Sequence, residues 1–305
     1  MDYISVGEFA LKYGISERTA RNYCAMGKIE GAFLMGKTWN IPAEATLPSR
    51  KNQNIPPLLA LLRQQKESGM KGSIYHRTQI DLTYNSNHIE GSRLTHEQTR
   101  YIFETNTIGM NTGESMNVDD IIETTNHFRC IDLIIDHAME KLIETFIKTL
   151  HHTLKSGTSD ARREWFAVGD YKLLPNEVGG METTHPDRVH AEMKALLAAY
   201  NGKRKKTLED IIDLHQRFEA IHPFQDGNGR VGRLLMFKEC LATGEIPFII
   251  TDDLKMFYYR GLQQWPHIKG YLMDTCLTAQ DRYKELLDRM GIPCNREPSE
   301  VKRRK

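Results

Sequence analysis

The segment HPFQDGNGRVGR, residues 222–233, brings one histidine, one acid, three glycines and two arginines into twelve positions. His222 has an ordinary pKa that suits general-base catalysis near neutral pH. Asp226 supplies one carboxylate, and magnesium usually binds one or two carboxylates together with substrate phosphates. Arginine is the side chain best shaped to hold phosphate oxygens. The segment therefore indicates phosphate chemistry with a base, a metal ligand and cationic clamps.

The second half of the segment and the residues after it indicate that a helix positions these side chains. In NGRVGRLLMFKECLATG, apolar residues recur at helical intervals, which places Gly227–Gly229 at the N-terminus of a helix. Backbone N–H groups are free there, beside the positive end of the helix dipole, and form an anion site. Glycine lets the backbone approach phosphate oxygens closely. Arg230 and Arg233, three residues apart, add two positive forks on one helical face.

Three other interpretations of the segment fit less well. A calcium loop would need an oxygen ligand at Arg230 and a bidentate glutamate at Phe237. Gly227, Gly229 and Gly232 spell the dinucleotide motif G-x-G-x-x-G, but that motif follows a strand, and LEDIIDLHQRFEAI has helical periodicity. A plain turn between helices would explain the glycines but neither the histidine nor the arginines.

The segment resembles the Fic family signature H-x-F-x-[D/E]-G-N-G-R-x-x-R, with no departure at any specified position. The resemblance covers roughly residues 58–275 and implies a mostly helical domain that transfers a nucleoside monophosphate, usually AMP from ATP, to a protein hydroxyl. It implies His222 as the base acting on a Ser, Thr or Tyr, and Asp226 as the Mg²⁺ ligand. The phosphate-binding residues that it implies are Gly227, Asn228, Gly229, Arg230 and Arg233.

The upstream stretch SNHIEG resembles the family's inhibitory motif [S/T]-x-x-x-E-[G/N] through Ser86, Glu90 and Gly91. A glutamate in the last turn of a helix lies at the negative end of the dipole, so it is mildly unfavourable unless it meets a cation. The resemblance implies that Arg233 is this cation, that Glu90 takes the place of the ATP γ-phosphate, and that the enzyme is inactive by default. A solvated surface role for Glu90 is the alternative, and in some family members this glutamate aligns water to remove AMP.

Strand-like residues between paired turn signals in VGDYKLLPNEVGG predict a β-hairpin near residues 165–180. The hairpin resembles the family's flap, which holds the target segment as an added strand. Lys172 stands where arginine is common in the family, and the proline of LLPNEV limits strand pairing. The target-docking residues implied are Asn176, Glu177, Val178 and Gly179.

Other aromatic and imidazole side chains carry weaker signals. Tyr258 and Tyr259 have the family's spacing after the motif for contact with adenine, and core packing is the alternative interpretation. His151 and His152 are adjacent and therefore face apart on a helix, which favours structural or exposed roles over metal ligation. His215, two turns before the motif histidine, is expected to be a hydrogen-bonded core residue.

The N-terminal stretch has a different pattern. SVGEFALKYG and SERTARNYCAMG are helical by periodicity, with stops at Gly14 and Gly27 and an N-cap at Ser16. The β-favouring stretches of GKIEGAFLMGKTWNIP follow, as expected for a small wing. This module resembles an excisionase or MerR-like winged helix-turn-helix, and a docking or dimerising domain that does not bind DNA is the alternative. The residues that could contact a DNA backbone are Arg18, Arg21, Lys28 and Lys37.

The whole pattern predicts a mainly α-helical protein with two domains. The predicted segments are a winged helix-turn-helix at 1–45, a proline-punctuated linker at 46–57, a Fic domain at 58–290 and a charged tail at 291–305. The inhibitory helix is predicted at about residues 72–91. The flap is the only predicted break in the helical pattern of the second domain.

Composition is typical of a cytoplasmic globular protein. The 305 residues are 40% hydrophobic and 27% charged, which is enough for a sizeable core. The sequence has no run of about 18 apolar residues and no secretory leader pattern, so no membrane association is expected. The five cysteines are scattered without a C-x-x-C pair, which favours reduced thiols. A net charge of +1 means that any DNA binding would need a local basic patch.

We therefore expect a protein adenylyltransferase that uses ATP and Mg²⁺ and is restrained by Glu90 pairing with Arg233. The acceptor would be another protein or the chain itself, and family analogy suggests a homodimer. The alternatives are a DNA-binding transcriptional regulator that uses the Fic fold as a nucleotide sensor, transfer of another nucleotide, and removal of AMP. A His222→Ala variant separates the first two, because it should abolish AMP incorporation while DNA binding persists.

Overall fold

The structure is a computed structural model that describes residues 2–47, 55–109 and 115–293. The chain divides after Ile55 into two compact units. Most of the predicted linker and tail lies outside the described residues. Within the described ranges, no helix combines the length and apolar character needed to cross a membrane.

The N-terminal unit contains the two helices and the hairpin that its sequence predicts. Ser5 and Ser16 cap the two helices, and Gly14 ends the first in the left-handed conformation. The third strand pairs antiparallel with the other two, and Phe9 and Ile41 are fully buried between helices and sheet. The elements are β1 (Tyr3–Ile4), α1 (Val6–Tyr13), α2 (Glu17–Ala25), β2 (Phe33–Met35) and β3 (Thr38–Pro42).

The second unit is helical, with one two-stranded hairpin, β4 (Glu177–Val178) and β5 (Met181–Glu182). This confirms the mainly α-helical fold. Its described helices are α3 (Pro57–Ser68), α4 (Ile74–Ile89), α5 (His96–Thr105), α6 (Val118–Asp136), α7 (Glu144–Lys155), α8 (Pro186–Gly202), α9 (Leu208–Ile221), α10 (Asn228–Thr243), α11 (Lys255–Gln264) and α12 (Gly270–Arg289).

Helix α10 lies at the centre of this unit. Nearly every residue from Arg230 to Leu241 is buried, including charged ones, because α4, α6, α7 and α9 surround the helix. The segment 222–233 spans the end of α9, the connecting loop and the first turns of α10. A loop anchored in this way to the core has little freedom to move, which is the condition for a preorganised site.

Candidate active site

His222 ends α9 in a left-handed backbone conformation, with φ of 50°. Residues other than glycine rarely adopt this backbone conformation, so the surrounding structure must hold His222 in it. Its N–H donates to the carbonyl of Phe218 (2.9 Å), which closes the helix. The strained turn redirects the chain so that the imidazole and the following loop stand at the end of α9.

Buried side chains fix the shape of the loop after His222. Phe224 is fully buried and stacks on the ring of His151, with centroids 3.9 Å apart. Nδ1 of His151 accepts from the N–H of Gly169 (2.9 Å), so the neutral ring carries its proton on Nε2, which donates to the carbonyl of Asp226 (3.1 Å). Burial lowers the pKa of His151 to about 3. His151 is therefore a neutral structural support, as its position predicts.

The side chain of Asn228 bonds to the loop that precedes α10. Its Oδ1 accepts from the N–H of Phe224 (2.8 Å) and its Nδ2 donates to the carbonyl of Phe224 (2.8 Å). The side chain is buried, and both ends of its amide are occupied by one peptide unit. The Asn228 side chain therefore fixes the shape of the loop. Its backbone N–H is the group that could bind phosphate.

The imidazole of His222 is neutral at physiological pH. Burial, followed by the positive charge of Lys172, lowers its pKa to about 4, against the opposing effects of Glu90 and Asp226. Nδ1 is buried, so Nε2 is the nitrogen that a substrate hydroxyl can reach. A neutral imidazole is ready to accept a proton, as a general base must be.

Asp226 belongs to a buried cluster of charges at the N-terminus of α10. Nζ of Lys155 lies 2.6 Å from Asp226 Oδ2, 2.5 Å from Glu123 Oε1 and 3.4 Å from Asp160 Oδ2. Arg230 pairs with Glu123 and, at 3.0 Å, with Asp226 Oδ2. The guanidinium of Arg230 is therefore held by two carboxylates. Its implied role in phosphate binding stays a prediction.

The carboxylate of Asp226 fits a magnesium ligand that completes its shell with substrate. Burial opposes ionisation, but Arg230 and Lys155 bring the pKa of Asp226 below its ordinary range. Both cations contact Oδ2, and the side chain is 48% exposed, so the carboxylate is accessible from solvent. No group of three or more potential metal-ligating side chains occurs among the described residues. An ion at Asp226 would therefore depend on phosphate and water oxygens, as magnesium commonly does.

Glu90 meets Arg233 at the other side of the same helix turn. Nη2 of Arg233 lies 2.7 Å from Oε1 of Glu90, and the side chains are 4% and 30% exposed. Ser86 accepts from the guanidinium twice, through Oγ (3.0 Å from Nε) and its carbonyl (2.8 Å from Nη2). Burial opposes the charge on Arg233, and the carboxylate of Glu90 raises the pKa of Arg233. Ser86, Glu90 and Arg233 therefore form one hydrogen-bonded cluster. Gly91, the residue after Glu90, has a left-handed backbone conformation.

The carboxylate of Glu90 also covers the backbone at the start of α10. A Cβ on Gly229 would lie 2.1 Å from Oε1 of Glu90, so only glycine leaves room for this approach. Gly227 is the N-cap, with φ of 81° and no side chain capping the helix in the described chain. Glu90 therefore occupies the place where the free N–H groups and the helix dipole favour an anion.

Glu219, one turn before His222, is a buried carboxyl that sequence analysis did not identify. Burial raises the pKa of Glu219 to about 8, with Glu90 adding to the effect and Arg233 opposing it. Its Oε1 is buried and has no hydrogen-bond partner in the described chain. Glu219 is therefore mostly protonated near neutral pH, and Glu90 is the carboxyl group that pairs with Arg233.

The tyrosine pair divides between core and surface. Tyr258 is fully buried, and its hydroxyl lies 2.6 Å from Nε2 of His215. His215 is the hydrogen-bonded core residue that we expected. Tyr259 is 40% exposed, and its hydroxyl donates to the carbonyl of Ile89 (3.4 Å). Contact with adenine therefore stays a prediction for both tyrosines, and only Tyr259, beside the end of α4, is accessible to a ligand.

The flap hairpin is shorter than predicted and starts later, since residues 165–176 contain no strand. Their backbone groups bond to the motif loop instead: the N–H of Lys172 donates to the carbonyl of Pro223 (2.8 Å). Strands β4 and β5 join through Gly179 and Gly180, both with positive φ, as a two-residue hairpin turn requires. The residues predicted for target docking lie in or next to this hairpin.

Two charged residues of the site were missed in the sequence, although their helical positions carried a signal. Lys155 continues the buried face of α7 that includes Ile147, His151 and Leu154. Glu123 lies four residues before buried His127 on α6. A charged residue on an apolar helical face is rarely buried unless it is paired. This rule indicates burial and pairing but not the identity of the partners.

Comparisons with known proteins agree with this geometry. Residues 141–240 match the family model described as the Fic/DOC family. The chain is 29% identical over 213 residues to the protein adenylyltransferase Fic of Drosophila grimshawi, and 30% identical over 211 residues to that of Drosophila mojavensis. The matches cover 67% and 66% of this chain but only 40% and 38% of those relatives.

Solved structures share the fold of the helical unit. A Fic domain containing signaling protein from Bacteroides thetaiotaomicron matches with a TM-score of 0.62 at 24% identity, over 78% of this chain and 99% of that one. A Fic family protein from Desulfovibrio desulfuricans matches with a TM-score of 0.59 at 22% identity, over 80% and 77% of the two chains. The helical unit thus has the Fic fold.

Proposed function

We propose that this chain, which contains a Fic domain, is a protein adenylyltransferase that transfers AMP from ATP to a Ser, Thr or Tyr hydroxyl, and that Glu90 restrains it. One observation carries the proposal. The carboxylate of Glu90 lies against Gly229 and Arg233, at a helix N-terminus built to bind an anion. Because the base and the metal-ligand candidate flank the same turn, the anion that belongs there is the phosphate chain of a nucleotide.

The residues divide the reaction between them. Nε2 of His222 accepts the proton of the target hydroxyl, whose oxygen bonds to the α-phosphorus while the bond to the β-phosphate oxygen breaks and pyrophosphate leaves. Arg233 and the first N–H groups of α10 neutralise the phosphate charge and hold the chain in line. Magnesium held by Asp226 would stabilise charge on the phosphate oxygens. The Lys155 and Arg230 cluster keeps Asp226 ionised and in place.

Competition for Arg233 provides the proposed restraint. A guanidinium that is 4% exposed requires an anionic partner, because an unpaired buried charge is costly. A carboxylate and a phosphate are both anions that accept hydrogen bonds from a guanidinium, but they cannot occupy the same space together. While Glu90 holds Arg233, ATP has to bind without this contact and is placed incorrectly for transfer.

The test is AMP incorporation from ATP labelled at the α-phosphate, with wild-type, Glu90→Gly and Glu90→Gly/His222→Ala proteins, followed by the mass of the modified chain. We expect transfer to rise in Glu90→Gly and to fall by a factor of about 10²–10⁴ when the base is also removed. Equal rates for wild type and Glu90→Gly would reject the restraint. Equal rates with and without His222 would reject the catalytic assignment, and parallel reactions with other labelled nucleoside triphosphates test the choice of base.

The reaction is further proposed to take place in the cytoplasm, on another protein or on the chain itself, with a homodimer as the expected assembly. The four cysteines in the described ranges are free and buried, which supports a reducing compartment. Analytical ultracentrifugation of the purified chain tests the homodimer. A monomer across the micromolar range would exclude it.

The N-terminal unit is proposed to bind the DNA backbone. Four exposed basic side chains on α2, after it and on the hairpin turn support the proposal; they are Arg18, Arg21, Lys28 and Lys37. The exposed apolar strand β2 at the edge of the same sheet favours protein docking instead. Fluorescence anisotropy with a DNA duplex at two salt concentrations distinguishes the two, because phosphate contacts weaken steeply with salt. An Arg18→Ala/Arg21→Ala variant should lose DNA binding, and unchanged anisotropy would exclude this role.

A further inference from the structure

Lys172 is a buried lysine without an ion-pair partner in the described chain. Its side chain is 3% exposed, and its ammonium donates to Oδ1 of Asn176 (2.6 Å) and Oγ1 of Thr183 (2.5 Å). Both acceptors are neutral. Burying an ammonium among neutral groups costs stability, and a chain without a use for the charge would gain by placing an apolar residue there. The position therefore calls for a role that a packing residue cannot supply.

The hydrogen bonds of Lys172 join the two ends of the flap. Asn176 directly precedes β4 and Thr183 directly follows β5. The N–H of Thr183 also donates to the carbonyl of Asn176 (3.2 Å). The ammonium thus closes the base of the hairpin, and the hairpin's exposed strand depends on this closure for its direction.

The same residues tie the flap to the catalytic loop. The N–H of Lys172 donates to the carbonyl of Pro223 (2.8 Å), the residue after the proposed base. Nδ2 of Asn176 donates to the carbonyl of Phe224 (3.2 Å). Two successive carbonyls of the loop therefore hold the start of the flap.

We propose that Lys172 is a positioning residue that couples the flap to the catalytic loop, with its ammonium closing the hairpin and its backbone N–H bound to Pro223, next to His222. This inference rests on the proposed function for its purpose, since the flap would hold the protein target and His222 would receive the target's proton. The geometric part, which is a flap tied to the loop by one lysine, stands independently of the reaction.

The charges around Lys172 and His222 predict the direction in which the pKa of His222 changes when Lys172 is replaced. Burial lowers the pKa of Lys172 to about 8, and Glu192 on α8 opposes this. After burial, Lys172 is the main cause of the lowered pKa of His222, while the Glu219 carbonyl, Glu90 and Asp226 act in the opposite direction. Removing the ammonium should therefore raise the pKa of His222.

The first experiment measures the two structural consequences in the full chain, without turnover. Lys172→Met is compared with Lys172→Arg and with Lys194→Met, which removes an exposed lysine of α8. Histidine Cε1 resonances are titrated by NMR, with His222→Ala identifying the signal, and amide hydrogen exchange is followed over residues 176–183. We expect Lys172→Met to raise the pKa of His222 and to speed flap exchange about tenfold, and Lys172→Arg to restore both.

Two further variants keep the proposal falsifiable if Lys172→Met fails to fold. Asn176→Ala and Thr183→Val each remove an acceptor but leave the ammonium in place. They should speed flap exchange and leave the pKa of His222 unchanged. The proposal is overturned if the pKa of His222 and the flap exchange are the same in Lys172→Met as in Lys194→Met, or if Asn176→Ala and Thr183→Val leave flap exchange at the wild-type rate.

The second experiment adds the reaction, in the Glu90→Gly background, with transfer of labelled AMP to the chain itself as the readout. The acid limb of the pH–rate profile should move to higher pH in Lys172→Met, because His222 acts only when deprotonated, while the KM for ATP stays unchanged. A purely structural defect would lower the rate without moving the limb, which would reject the electrostatic part. Absence of transfer in every Glu90→Gly protein would reject the proposed function, and the NMR and exchange results would still decide the role of Lys172.

Discussion

Two arginines of α10, three residues apart, are equally buried but are held in different ways. Arg230 contacts two carboxylates, Glu123 of α6 and Asp226 of the motif loop, in a cluster that includes a second cation. Arg233 forms an ion pair with one carboxyl group in the described chain, that of Glu90. Glu90 is the C-cap of α4, where the helix dipole disfavours a negative charge.

The difference separates a scaffold from a switch. The partners of Arg230 come from the second turn of α6 and from a loop that Asn228 holds in place, and losing either would leave several charges uncompensated. The partner of Arg233 is a carboxylate at a helix end that is 30% exposed, and we propose that a phosphate can replace it. We therefore propose that the two arginines of the motif have different roles, which their partners determine. Variants of Arg230, Glu219 and Glu90 test this proposal.

Removal of Arg230 should cost the most stability. Arg230→Met leaves Glu123 and Asp226 with Lys155 as their only ion-pair partner among the described residues, and breaking a buried ion-pair cluster in this way costs about 3–5 kcal/mol. Urea denaturation followed by circular dichroism measures the loss. The exposed Arg217 provides the matched control, because Arg217→Met should change the free energy of unfolding by less than about 0.5 kcal/mol. A similar small change for Arg230→Met would contradict the scaffold role.

Glu219→Gln should stabilise the protein at neutral pH. Burial raises the pKa of Glu219 to about 8, so the unfolded state releases this proton at lower pH than the folded state. Its stabilising contribution is complete below about pH 4.5 and is lost as the pH rises to about 8, at up to about 1.4 kcal/mol per unit. The variant should therefore be more stable by up to about 3.5 kcal/mol at pH 7, with a flatter profile between pH 5 and 8. An unchanged profile in urea denaturation would mean that Glu219 is ionised and competes for Arg233.

Glu90→Gln should have the smallest effect on stability and the largest dependence on ligand. Because Glu90 is partly exposed and Ser86 still accepts from Arg233, the loss should be about 1–2 kcal/mol. Saturating ATP should recover it, since ligand that binds only the folded state stabilises that state. Thermal denaturation with and without ATP checks this, with the exposed Glu67→Gln as control. An equal ATP-induced shift of Tm in Glu90→Gln and Glu67→Gln would contradict the proposal that ATP replaces Glu90 at Arg233.

The sequence predicted the elements that follow from local rules. The cap at Ser16, the glycine stop at Gly14 and the helix beginning after Gly227 are all present, because capping and periodicity are local properties. The pairing of Glu90 with Arg233 was also anticipated, through a family resemblance. Physical reasoning alone places Glu90 near a cation but does not identify it.

The remaining features depend on contacts between residues distant in the chain. Whether Arg230 is free or held depends on Glu123, which is 107 residues away and carries no local sign of its partner. The late start of the flap has the same origin, since the backbone before it bonds to Pro223 instead of to a strand. Asn228 matched a motif whose pattern does not state whether a residue touches phosphate or shapes the loop. Such distinctions require the tertiary structure.

The affinity for ATP tests the central account most directly. Equilibrium binding of ATP with Mg²⁺ is measured by titration calorimetry in the His222→Ala background, where no transfer occurs, for proteins with and without Glu90→Gln; AMP, which lacks the terminal phosphates, is the control ligand. We predict that Glu90→Gln tightens ATP binding about tenfold or more and leaves AMP binding unchanged. Equal affinities for ATP with and without Glu90 would show that the carboxylate and the phosphate do not compete for Arg233, and would reject the proposed restraint.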